Sequence, residues 1–116
     1  MPGARRGAVG SPSVERHYAP RARLVLFEPA DRAAAARAAA EAAATGRTVG
    51  ALLLAPLDAP LRHPVRMPAD PVAYASRLYA VLHQLDEAGC NLVLVEAPPE
   101  TATWAGVRDR LQRAAS

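Results

Sequence analysis

Residues 70–98, DPVAYASRLYAVLHQLDEAGCNLVLVEAP, predict a helix followed closely by a buried strand. Asp70 can cap this helix, and the proline after it suits the first helical position. Gly89 supplies the stop, and residues 91–95 (NLVLV), which are continuously apolar after Asn91, are typical of a strand buried on both faces. One face of the helix carries five apolar residues at helical spacing, which are Tyr74, Leu78, Val81, Leu82 and Leu85.

Three strands and a helix are predicted before this unit. Arg23–Phe27 (RLVLF) and residues 48–54 are short apolar runs. Residues 64–67 are typical of a short edge strand, because proline is tolerated at a strand start. Residues 31–45 contain ten alanines, which favours a helix, and Gly46 follows as its stop.

A last helix is predicted after the break at Pro98 and Pro99, with Thr103 as its cap. Its inner face would carry Trp104, Val107, Leu111 and Ala114.

Strands and helices therefore alternate along the chain, and the strands are apolar throughout instead of alternating with polar residues. This combination predicts an α/β fold, a small three-layer Rossmann-like domain. Its mostly parallel sheet of roughly three to five strands would carry helices on both faces, joined by right-handed crossovers. We expect the domain to occupy residues 23–116. Residues 1–22 would be a flexible tail and linker, because residues 1–13 are rich in Gly, Pro, Ser and Arg.

Length and composition exclude several classes of protein. The 116 residues suit one domain, and the net charge is +3, carried by scattered arginines without a basic stripe. Direct binding of nucleic acid is therefore not expected. No apolar run approaches the length of a membrane span, so no membrane partner is expected. A single cysteine allows no internal disulfide, which fits a reducing compartment and predicts a cytoplasmic protein.

Acidic residues follow three of the predicted strands, namely Glu28, Asp58 and Glu96. Ligands of parallel α/β sheets bind outside the carboxyl ends of the strands, so these residues are a candidate site for a cation or a small ligand. The other interpretation is that they are solvated loop carboxylates. Residues 28–31 contain no glycine and do contain a proline, which argues against a nucleotide-phosphate site and predicts no cofactor in this domain.

No complete catalytic or metal site is evident. His17, His63 and His83 lack metal-ligand spacing, and Cys90 precedes a buried strand, where a small core residue is expected. We therefore predict no catalytic residue and no metal ligand.

A compact polar and aromatic cluster precedes the first strand. Arg16, His17 and Tyr18 together offer anion binding, hydrogen bonding and stacking. Alternatively, Tyr18 and Pro20 only fasten the linker to the domain.

Four stretches resemble the two-domain L-threonylcarbamoyladenylate synthases. SP at 11–12 with RHYAP at 16–20 resembles their interdomain linker, which reads roughly Ser-Pro-Gly-Met-Lys-Tyr-Arg-His-Tyr-Ala-Pro. YASRLYAVLHQLD at 74–86 is similar to a helix of the second domain. VLVEAP at 93–98 and RDRLQRAA at 108–115 are similar to its final strand and closing helix.

This resemblance implies a function in tRNA modification. The family makes threonylcarbamoyl-AMP from threonine, bicarbonate and ATP, a nucleotidyltransferase reaction that releases pyrophosphate. The product supplies the threonylcarbamoyl group of some tRNAs. The chemistry belongs to an N-terminal YrdC-like domain, for which residues 1–10 of this chain are far too short.

The chain is accordingly expected to be an accessory domain that is not catalytic alone. Its partner would be a YrdC-like catalytic domain, which is in cis in the family and could act in trans here. The resemblance implies that the linker gates the catalytic cleft of that domain, through residues that match the family pattern. These are Ser11, Pro12, Arg16, His17 and Tyr18.

The linker also departs from the family pattern. It is one residue shorter, Ser13 replaces the glycine, and the first tyrosine is missing. Losing glycine removes a residue that adopts positive φ easily, which puts the gating in doubt. Two alternatives therefore stay open: a free-standing regulatory module that binds a small ligand or cation, and a truncated gene product.

Overall fold

The computed structural model describes residues 21–115 and contains one parallel sheet. The strands are β1 (Arg23–Phe27), β2 (Val49–Leu53), β3 (His63–Arg66) and β4 (Leu92–Glu96). The helices are α1 (Arg32–Ala44), α2 (Pro71–Glu87) and α3 (Ala105–Ala115), and short 3₁₀ turns at Pro29–Asp31 and Ala102–Trp104 precede α1 and α3.

The strand order is β1-β4-β2-β3, with every neighbouring pair parallel. Arg23 lies beside Leu92 at one end of the sheet, and Phe27 lies beside Glu96 at the other. We call these ends the amino edge and the carboxyl edge. Loops that leave the strands meet at the carboxyl edge, and the chain enters β1 at the amino edge.

Helices cover both faces of the sheet, as the sequence predicts. α2 and α3 pack on one face with Leu24, Leu52 and Val93, whereas α1 packs on the other with Phe27 and Val49. All five apolar residues of the predicted α2 face are buried. The predicted three-layer α/β fold is therefore confirmed, with four strands that are all parallel.

Packing against the sheet is close on both of its faces. α1 buries only the small residues Ala35 and Ala39, so its backbone lies close to the sheet. On the other face, a Cβ built on Gly50 would lie 2.9 Å from the Sγ of Cys90. Glycine at this position of β2 therefore makes room for the thiol.

The helix stops are confirmed, since Gly46 and Gly89 follow α1 and α2 with φ of +86° and +82°. The prediction that Thr103 caps the last helix is wrong. Thr103 lies inside a 3₁₀ turn, and its hydroxyl group is 3.0 Å from that of Thr101. The extra turn places the start of α3 at Ala105.

Candidate functional site

At the amino edge, a single carboxylate holds the chain where it enters the domain. Asp86, in the last turn of α2, accepts hydrogen bonds from the backbone N–H groups of Arg21 and Ala22, at 3.0 Å (Oδ2) and 3.1 Å (Oδ1). The next N–H group, of Arg23, donates to the carbonyl oxygen of Asn91 at 3.0 Å. Ala22 is itself buried in the core. The last residues before β1 therefore have a defined position.

The predicted gating residues precede this point in the sequence. Ser11, Pro12, Arg16, His17 and Tyr18 lie outside the described residues. Their gating role stays a prediction.

At the carboxyl edge, Glu96 is buried and its carboxylate is fully engaged. One oxygen, Oε1, accepts hydrogen bonds from the N–H groups of Leu54 at 2.8 Å and Ala55 at 3.0 Å. The other, Oε2, forms an ion pair with Arg32 at 3.1 Å. Arg32 also donates to the carbonyl oxygens of Ala55, at 3.0 Å, and Pro56. Glu96 and Arg32 thus tie the exit of β2 to β4 and α1.

A second arginine organises the neighbouring loops. Arg108 of α3 forms ion pairs with Glu28 at 3.3 Å and Glu100 at 3.4 Å, and it donates to the carbonyl oxygen of Pro98. Beside it lies a crevice of about 350 Å³, lined by both Glu28 and Glu96. Asp58 is exposed in the loop after β2 and is not among the lining residues.

Two of the three predicted acidic residues therefore share one crevice, and both already form ion pairs with arginines. A ligand there would have to compete with these arginines for the carboxylate oxygens. Binding of a cation or small ligand at Glu28, Asp58 and Glu96 remains a prediction.

Tyr74 lies in the core near this edge. Its ring packs edge-on against Trp104, with centroids 5.6 Å apart and planes at 88°. Burial, and then the charge of Glu96, raise the pKa of the Tyr74 phenol well above its usual range. Among residues 21–115 its hydroxyl group finds no hydrogen-bond partner.

Other candidate groups lie apart from the crevice. Cys90 is buried, and burial followed by the charge of Asp86 raises the pKa of its thiol, which disfavours the thiolate that acts as a nucleophile. His63 begins β3, and His83 is exposed on α2. Within the described part of the chain, no group of three His, Cys, Asp or Glu residues could hold a metal ion.

Every helix between residues 21 and 115 is too short or too polar to cross a membrane.

Sequence reasoning missed the three residues that organise the two edges, Arg32, Arg108 and Asp86. Their partners are mostly distant in sequence, up to 80 residues for Arg108 and 65 for Asp86. No local pattern could have found these pairs, because they form only after the strands are in register.

Comparison with known proteins assigns the domain type. The pattern of the family described as "Threonylcarbamoyl-AMP synthase, C-terminal domain" matches residues 8–116. No curated protein matches the sequence.

Three solved structures are similar in fold. Sua5 from P. abyssi, in a variant with a consecutive histidine and tyrosine replaced by alanine, has a TM-score of 0.72 and 24% identity over 83% of this chain. The C-terminal Sua5 domain of Pyrococcus horikoshii has a TM-score of 0.66 and 22% identity over 81% of it. P. abyssi Sua5 complexed with L-threonine has a TM-score of 0.70 and 28% identity over 86% of it.

The chain spans only part of two of these proteins. It covers 28% and 30% of the two P. abyssi chains but 93% of the P. horikoshii domain. The likeness is therefore to one domain of a longer protein.

Proposed function

Because the chain belongs to the family of threonylcarbamoyl-AMP synthase C-terminal domains, we propose that it acts as the accessory domain of such a synthase. It contributes no catalytic group. Its partner is a YrdC-like catalytic domain, which converts threonine, bicarbonate and ATP into threonylcarbamoyl-AMP and pyrophosphate. The product serves tRNA modification in the cytoplasm.

The carboxyl edge is the observation that carries the non-catalytic role. A catalytic α/β domain binds its substrates outside the carboxyl ends of the strands. Here Glu96 is occupied by Arg32 and two backbone N–H groups, and Glu28 by Arg108. This arrangement supports a domain whose carboxyl edge holds its own loops together.

The linker gates the catalytic cleft of the partner through Arg16, His17 and Tyr18, with Ser11 and Pro12 at its start. His17-Tyr18 is the one place in this sequence where a histidine directly precedes a tyrosine. P. abyssi Sua5 was solved as a variant with an adjacent histidine and tyrosine replaced by alanine. We therefore choose His17 and Tyr18 as the first pair to test. A segment that closes over a cleft excludes water and orders substrates, which controls turnover.

Pyrophosphate release from ATP, L-threonine and bicarbonate tests the proposal. We expect none from the purified chain alone. We expect more from a mixture with the YrdC-like domain of the same genome, or from a fusion of the two, than from that domain alone. Release by the chain alone would contradict the non-catalytic role, and an unchanged rate in both mixture and fusion would contradict the accessory role.

Point variants test the contribution of the linker separately from that of the rest of the domain. Alanine at Arg16, His17 or Tyr18 should remove most of the gain in rate. Arg37→Ala, an exposed arginine on α1, is the matched control and should leave the gain unchanged. Linker variants that keep the full gain would contradict the gating role alone.

A further inference from the structure

The sheet ends laterally in two edge strands, β1 and β3, and the two differ in how they are protected. β3 contains the exposed Pro64, which has no N–H group to donate, and the exposed Arg66 follows it. Proline and charged side chains on an edge strand discourage pairing with another chain. β1 carries neither of these from Leu24 to Phe27. Its outer side is therefore suited to accept a further strand.

The backbone of β1 directs hydrogen-bonding groups to this outer side. The Arg23 N–H group donates to the carbonyl oxygen of Asn91 at 3.0 Å, so Arg23 faces β4. Successive residues of a paired strand direct their backbone groups alternately to its two sides. The N–H and C=O groups of Leu24 and Leu26 therefore point outward. Within residues 21–115, no strand pairs with this side of β1.

Crevices flank the outer side of β1 on both faces of the sheet. One of about 440 Å³ runs along residues 23–26 and is bounded by Arg108 and Gln112 of α3. The other, of about 670 Å³, lies on the opposite face between Val25 and Ala42 of α1. An added strand would point its side chains alternately into the two crevices.

The side chains of β1 are apolar on both faces. Leu24 and Leu26 pack with the core beneath α2 and α3, whereas Val25 and Phe27 pack with the core beneath α1. Val25 and Leu26 are only partly buried. An occupant that covers them must therefore also be apolar at consecutive positions, as β1 itself is.

We propose that the outer side of β1 is the interface of a homodimer, in which two β1 strands pair antiparallel about a twofold axis at Val25. Leu24 of one protomer lies opposite Leu26 of the other, and the two residues exchange both backbone hydrogen bonds. The symmetric pair does the same, because a twofold interface uses one surface twice. The two four-stranded sheets then form one continuous sheet.

Charges at the ends of β1 favour this orientation. The exposed Arg21 and Arg23 lie at its start, and the exposed Glu28 and Asp31 follow its end. Antiparallel pairing brings the basic start of each strand beside the acidic end of the other, whereas parallel pairing would bring like charges together. Apolar pattern and charge together favour a second copy of this chain as the occupant. The inference does not depend on the proposed function.

Sedimentation velocity of the full chain over a concentration series tests the interface. The mass should rise from that of one chain to that of two. Val25→Lys places two positive charges opposite each other at the axis and should weaken association at least about tenfold. Val65→Lys, the same change at a partly buried valine of β3, is the matched control and should leave association unchanged. A mass of one chain at every concentration, or a dimer unaffected by Val25→Lys, would overturn the proposal.

A mixture of variants separates charge repulsion from a folding defect. Val25→Glu should also stay monomeric by itself. An equimolar mixture of Val25→Lys and Val25→Glu should form a heterodimer, because opposite charges now meet at the axis. If both variants are folded by circular dichroism and the mixture does not associate, pairing at Val25 is wrong.

Amide hydrogen exchange on the wild-type chain tests the same interface without any substitution. Exchange at Leu24 and Leu26 should slow about tenfold as the dimer fills, while exchange at Leu94 in the centre of the sheet stays the same. Protection of Leu24 and Leu26 that does not change with concentration would mean that residues 1–20 of the same chain cover β1. That result would overturn the dimer.

Discussion

Tyr74 carries a hydroxyl group into the core where no partner is found among the described residues. A buried polar group without a hydrogen bond loses its water contacts and gains nothing in return. The ring, by contrast, is useful, since it packs edge-on against Trp104. The two parts of this side chain therefore act on stability in opposite directions.

Tyr74→Phe keeps the ring and removes the hydroxyl group. We expect the free energy of unfolding to rise by about 1 kcal/mol, because the unsatisfied group is gone. Tyr74→Ala should lower it by roughly 3–5 kcal/mol, since a large cavity replaces the ring. Urea denaturation measures both. A loss of stability in Tyr74→Phe would mean that the hydroxyl group has a stabilising partner.

Alkaline pH should widen the difference in stability between wild type and Tyr74→Phe. Burial and the charge of Glu96 raise the phenol pKa in the folded state above its unfolded value of about 10. Below that unfolded pKa the neutral phenol permits full stability, and above it the unfolded state is favoured because it ionises more easily. The wild-type urea midpoint should therefore fall faster than the midpoint of Tyr74→Phe between pH 9.5 and 11. Parallel curves would contradict this.

Helix α1 shows how a whole element depends on small side chains. Its ten alanines predict a helix, but they do not say which ones face the sheet, because every face looks alike. The structure selects Ala35 and Ala39 as the buried pair. α2 differs, since its larger apolar residues form one stripe, so its core residues were predictable from spacing alone.

Ala39→Leu should push α1 away from the sheet. Ala39 is 0% exposed. We expect the free energy of unfolding to fall by about 1–3 kcal/mol because the larger side chain overpacks this site. Ala40→Leu, on the exposed side, is the matched control and should change stability by less than about 0.5 kcal/mol. Thermal or urea unfolding compares the two. Equal effects would mean that α1 does not lie close to the sheet.

In the molecule as a whole, carboxylates hold neighbouring segments together at both ends of the sheet. Asp86 does so at the amino edge, and Glu96 with Arg32 does so at the carboxyl edge. Sequence patterns predicted the strands and helices, because these depend on local spacing. They placed Glu96 at the carboxyl edge, but they could not show that Arg32 occupies it. The pairing of Arg32 with Glu96 depends both on the register of β4 in the sheet and on where α1 begins.

Glu96→Ala should destabilise the segments that meet at the carboxyl edge. It leaves Arg32 and the N–H groups of Leu54 and Ala55 without their common partner, and we expect a loss of about 3 kcal/mol. Glu100→Ala removes a carboxylate whose side chain is 80% exposed, and should cost less than about 1 kcal/mol. Equal urea midpoints for the two variants would contradict the structural role of Glu96.

The tight contact between Gly50 and Cys90 has a consequence for experiments on this chain. The single thiol packs closely against Gly50 of β2, and burial raises its pKa, which disfavours the thiolate. Because the thiol is buried, a thiol reagent reaches it fully only when the structure around it opens, so the rate of labelling reports how often this part of the fold opens. The protein thus carries a natural probe of local opening, and no cysteine has to be introduced for the measurement.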